Sequence, residues 1–68
     1  MVTERSFYEH LGRSIRTARA ARGWSQLRLA MKLGFSTGVT VHHWEVGDNR
    51  PRAWVLYELD RIFGAGWR

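Results

Sequence analysis

The sequence lacks cysteine altogether. That excludes a disulfide framework and any thiolate metal site, so the compartment has to be read from other features. Long apolar runs are missing too: no window approaches the roughly 18 uninterrupted apolar residues of a spanning helix, and the opening stretch MVTERSFYEH has no apolar signal core. A soluble, cytoplasmic protein is expected. Alternating β-branched residues are confined to Val39-Thr40-Val41, too short to pair usefully, so the fold class expected is all-α. Repeats, low-complexity tracts and linker-like composition are also absent, and 68 residues hold one small domain, here taken as residues 1–68.

Recognisable reaction chemistry is missing as well. His10, His42 and His43 have no acidic or thiol partner at zinc-finger or HExxH spacing, and neighbouring histidines on a helix diverge. There is no nucleophile elbow, no phosphate-binding glycine loop and no acidic dyad; Glu58 and Asp60 stand without a partner for acid–base work. Neither an enzyme nor a cofactor or metal is expected.

What the chain has is positive charge of one kind. Eleven basic residues against six acidic give +5, and ten of the eleven are Arg, the side chain best shaped for bidentate contacts to phosphate and guanine. Charge alone fits a solvated cationic surface equally well, so the decision falls to the organisation of the chain.

Helical spacing predicts four elements. Phe7, Leu11, Ile15 and Ala18 define a first helix over about 6–22, with Ser6 and Glu9 placed as a capping box and Gly23 as its stop. Ser25 caps a second over 25–33, with Leu29, Ala30 and Leu33 on one face and Gly34 beyond. A short turn, Phe35-Ser36-Thr37-Gly38, leads to a third over 37–46, with Val41 and Trp44 inward and Gly47 at its end. Pro51 suits the first position of a fourth over 51–63, whose face is Leu56, Leu59 and Ile62 or Phe63, closed by Gly64. Two short helices joined by a tight glycine-containing turn and braced on both sides form a helix-turn-helix arrangement, whose second helix is presented to the DNA major groove.

Leu11-Gly12-Arg13-Ser14-Ile15-Arg16, Arg19, Gly23-Trp24-Ser25-Gln26, Leu29-Ala30, Leu33-Gly34, Val41, Trp44-Glu45, Gly47 and Pro51 resemble the lambda-repressor-like helix-turn-helix family, the group of Cro and many phage and bacterial repressors. The likeness covers most of the chain. Its specific parts are Ser-Gln-x-x-Leu-Ala and Trp-Glu-x-Gly-x-x-x-Pro in that order. It implies a compact four- to five-helix domain and a double-stranded DNA operator as partner, hence an address at the nucleoid. It also implies a partly buried Arg19–Glu45 ion pair and core positions for Trp24 and Trp44. Many members dimerise through a fifth helix, and here Trp54 and Trp67 are the residues offered for a homodimer contact.

Gln26 would open the second helix, where its amide and the free N–H groups of the helix end can meet one phosphate. Ala30 is small where the second and third helices would cross. Ser36, Val39, Thr40 and His43 are expected on the outward side of the third helix, flanked by Gly38 and His42, with Thr37 at its start. Hydroxyls, a valine methyl and imidazole suit base edges or phosphates. Asn49, Arg50 and Arg52 follow as a polar loop able to reach the backbone or minor groove, and Arg28 adds a backbone contact. One departure stands out: one residue more than the family spacing separates Gly34 from Val41. It either lengthens the turn, delaying the helix to Gly38 or Val39, or enters the first helical turn. The function expected is a sequence-specific transcriptional regulator of repressor, controller or antitoxin type; the rival is a module of the same fold that binds a toxin or a host or phage protein.

Overall fold

Thr3, not Ser6, opens the first helix of the computed structural model, which describes residues 3–68; residues 1 and 2 of the expected domain lie outside the described residues. Helix α1 spans Glu4–Ala21. Thr3 Oγ1 accepts from the Ser6 amide at 3.0 Å while Ser6 Oγ accepts from the Thr3 amide at 3.0 Å, a reciprocal box set one turn earlier than the sequence suggested. Ser6 thereby becomes the third residue inside the helix. Glu9, the acid expected to cap, pairs with Arg5 one turn back at 3.0 Å.

Helix α2, Gln26–Lys32, begins where Ser25 Oγ accepts from the Arg28 amide at 3.0 Å. Gly34, at φ +90°, takes the left-handed turn that ends it. Helix α3 is Val39–Val46 and α4 is Ala53–Phe63. Among the described residues there are four helices and no strand. Pro51 is not the first residue of α4: the extended Arg52 is its N-cap, and the Pro51 ring lies buried just ahead of the helix.

The core joins Leu11, Ile15 and Ala18 to Leu29, Ala30 and Leu33, to Val41 and Trp44, and to Val55, Leu59 and Phe63. Two expectations shift. Phe7 is exposed, edge-on to Tyr8. On α4 the buried row is Val55-Leu59-Phe63, one i, i+4, i+8 stripe, with Leu56 and Ile62 at its margin.

Gly12 decides how closely α1 can approach α3. A methyl there would fall 2.3 Å from the Trp44 carbonyl oxygen and 2.8 Å from that of Glu45. Only hydrogen fits between the two backbones, and this contact sets where the C-terminal end of α3 sits.

Candidate nucleic-acid interface

Helix α3 is held from behind. Val41, Trp44 and Glu45 are buried. A carboxylate so enclosed needs partners. Arg19 supplies them as a fork: Nε donates to Glu45 Oε2 at 2.7 Å and Nη2 to Oε1 at 3.1 Å, while its third nitrogen, Nη1, donates to the Trp24 carbonyl at 2.6 Å. Gln26 Nε2 donates to Glu45 Oε1 at 3.1 Å. One acid therefore ties together α1, the turn before α2, the start of α2, and α3. Hydrogen bonding to Glu45 raises the Arg19 pKa above its ordinary value, outweighing the opposing effect of burial, with the carboxylate's charge adding in the same direction.

The start of α3 is fixed differently. The helix begins at Val39, with Gly38 as its N-cap, the later of the two starts expected for a lengthened turn. Glycine has no capping side chain, and Thr37 substitutes: its Oγ1 accepts from the Val39 amide at 3.2 Å. Gly38, expected beside the DNA, is also a packing position. A Cβ there would stand 2.9 Å from the Leu27 amide nitrogen and 3.1 Å from the Gln26 carbonyl carbon, so α2 and the entry to α3 touch backbone to backbone.

Away from the core, Val39, His43 and Val46 form one row at i, i+4 and i+7. Val39 is 58% and Val46 51% exposed. His42 is exposed on the side toward Gln26, its Nδ1 3.5 Å from the Gln26 amide nitrogen. His43 Nδ1 lies 3.4 Å from Asp48 Oδ2. The Asp48 and Asn49 amides donate to the His43 carbonyl at 2.9 and 3.3 Å, which closes the helix behind Gly47. Ser36 and Thr37 are exposed in the turn, and Arg28 is exposed on α2.

Thr40 leaves α3 on the other flank. There it lines a groove of about 420 Å³ with Phe35, Trp44, Asn49, Arg50, Arg52, Trp54 and Val55. Asn49, Arg50 and Arg52 are thus brought to one place beside the helix. Arg50 is also engaged with α1, ion-paired to Glu4 and lying 5.1 Å from the Tyr8 ring. Arg22, though exposed, folds back on the chain, its guanidinium donating to the Ala18 and Phe63 carbonyls and lying against the Phe63 ring.

The two tryptophans offered as one contact surface are apart. Trp54 is 48% exposed at the start of α4, its ring 5.9 Å from Phe35. Trp67 lies beyond the helix's other end, half-buried on Phe63 at 5.2 Å, with Nε1 donating to Asp60 Oδ1 at 2.8 Å. The eleven residues of α4 separate them by roughly 16 Å along its axis. Trp67 covers the core and does not extend the Trp54 surface.

Sequence reasoning did not find the Gly12 approach, the Gln26–Glu45 bond, the Thr37 cap or the Glu4–Arg50 pair. For Gly12 a signal existed: glycine within an amphipathic helix costs about 1 kcal/mol relative to alanine and asks for a packing reason.

Comparison with known proteins agrees with this geometry: the sequence model of the helix-turn-helix domain family matches residues 10–66. The chain belongs to the lambda-repressor-like helix-turn-helix family. The matched span contains α2, the turn and α3, together with most of α1 and all of α4. No curated protein and no solved structure matched. No described helix is long and apolar enough to cross a membrane, and no described group of three His, Asp or Glu side chains is placed to hold a metal ion.

Proposed function

We propose that the protein is a sequence-specific transcriptional regulator that lays α3 in the major groove of its operator. The observation that carries this reading is the two-sidedness of α3. Val41, Trp44 and Glu45 lock one side to the core, and the other side leaves Val39, His42, His43 and Val46 facing outward. A helix held so rigidly gives up little conformational freedom on docking, so the binding free energy is available for discrimination. His43 donates to a base edge, Val39 packs on a thymine methyl, and Arg28 and Arg52 neutralise phosphates on either side of the groove.

Selection of bound duplexes from a random DNA pool tests this. The expected result is one enriched motif, bound with an affinity that falls steeply with salt. Two to four neutralised phosphates give a slope of roughly −2 to −4 in log K against log salt. No enrichment, with only weak salt-sensitive binding to any duplex, would overturn the reading.

A second reading has its own observation. Val39 and Val46, at the two ends of α3, are more than half exposed, and exposed apolar side chains on a presented face also suit a protein partner such as a toxin. This alternative predicts no motif in the same selection.

A further inference from the structure

Each of the six acidic side chains faces a basic partner. Four of these pairs are local, joining neighbours along a helix or at its end. Of the two long-range pairs, Arg19–Glu45 is buried and serves the fold. Glu4–Arg50 is different: its side chains are 58% and 65% exposed, and an exposed pair adds at most about 1 kcal/mol to stability. Its partners are nevertheless well defined. Glu4 and Tyr8 stand one turn apart on the same face of α1 and engage one guanidinium together, the carboxylate as ion pair and the ring with its centroid 5.1 Å from Arg50 Cζ.

Arg50 belongs to the loop that follows α3, and with Asn49 and Arg52 it lines the groove bordered by Thr40 of α3. Arg52, two residues further on, has no ion pair among the described residues. The first turn of α1 therefore occupies one cation of the basic loop and leaves its neighbour unoccupied. To a guanidinium, a carboxylate and a phosphate are the same kind of partner, an anion with two acceptor oxygens that a fork of N–H donors can meet. Resting on the DNA-binding reading above, we infer that Glu4 stands in for a DNA phosphate at Arg50, an autoinhibitory contact by which α1 withholds this cation from the duplex. A phosphate can take Arg50 only by displacing Glu4. The contact thus lowers affinity for every duplex alike, since a phosphate carries no sequence information.

The test uses the full chain as wild type, Glu4→Gln, Arg50→Ala and the double variant, with binding to the enriched duplex and to a random duplex titrated by fluorescence anisotropy over a range of salt concentrations. Glu4 and Arg50 are both exposed, and circular dichroism checks that each variant keeps the fold. Releasing Arg50 adds one phosphate contact, so Glu4→Gln should bind more tightly and steepen the slope of log K against log salt by about 0.9; its advantage over the wild type then grows roughly eightfold for each tenfold fall in salt. The same gain should be found on both duplexes and should vanish once Arg50 is alanine. Glu4→Gln binding no tighter than the wild type, or a gain as large in the Arg50→Ala background, which a diffuse charge effect would give, overturns the inference and leaves the DNA-binding reading intact. A pool that enriches no motif while the four proteins behave as expected on the random duplex overturns sequence-specific recognition alone, and absence of binding to any duplex overturns both.

Discussion

Replacing Gly12 by alanine tests the packing that positions α3, because two effects of known size act on it with opposite sign. Gly12 lies inside α1, where alanine is favoured over glycine by about 0.5–1 kcal/mol. Local propensity alone therefore predicts a more stable protein. Against this, the new methyl would stand 2.3 Å from the Trp44 carbonyl oxygen, where ordinary contact begins near 3.4 Å, so α1 must retreat by about 1 Å. The obstacle is backbone and cannot rotate aside. Leu11 and Ile15, almost fully buried on the same helix, retreat with it. Overpacking of this kind costs about 1–3 kcal/mol, and a backbone obstacle places the cost at the upper end. The net loss is about 1–2 kcal/mol, a fall in Tm of roughly 5–15 °C for a domain of this size. Thermal and urea unfolding followed by circular dichroism measure it, with Thr17→Ala, at an exposed position on α1, as the control for propensity. A Gly12→Ala protein as stable as the wild type, or more so, would refute the close approach.

Further expectations concern single interactions. Arg19→Ala and Glu45→Ala should each cost about 3 kcal/mol, because each strands a largely buried charge, and the double variant should lose little more than either single one; additive losses would show the two side chains to be uncoupled. Ser25→Ala removes the side-chain oxygen that accepts from the Arg28 amide and should cost about 1 kcal/mol with an unchanged urea m-value, whereas a neutral result would leave α2 without its cap. His43→Ala should reduce discrimination between the enriched duplex and its point variants about tenfold at one base pair, and equal ratios for variant and wild type would exclude His43 from base contact.

Legibility in the sequence followed the range of the interactions. Helix α2 could be read almost whole, since its cap, apolar face and closing glycine all lie within ten residues. The inward side of α3 was equally plain from Val41 and Trp44. The beginning of α1 was misplaced because Thr3 and Ser6 are both good caps one turn apart, and the choice between them is settled by their bonds to each other. On α4, Leu59 and Phe63 could be read, but Leu56 stood in the place of Val55 because Ala53-Trp54-Val55-Leu56-Tyr57 is largely apolar on every side, so periodicity could not distinguish the two. Arg19 and Glu45 are 26 residues apart, and only the family resemblance brought them together. The bond from Gln26 to the same acid had no local signal at all.

The turn before α3 bears on the helix unevenly. Gly12 and the Arg19–Glu45 fork fix the C-terminal part of the helix, and neither depends on how many residues precede Val39. The N-terminal part meets α2 at Gly38, directly before the helix, and the rest of the turn is the span from Phe35 to Thr37. That span packs Phe35 between Trp44 and Trp54 and leaves Ser36 and Thr37 exposed. On the DNA-binding reading proposed above, recognition divides accordingly: the packed scaffold presents the middle of α3, and the turn before it offers Ser36 and Thr37 separately. Contacts by Ser36 and Thr37 should therefore be separable by mutation from those of the histidines, because no described side-chain bond links the two groups.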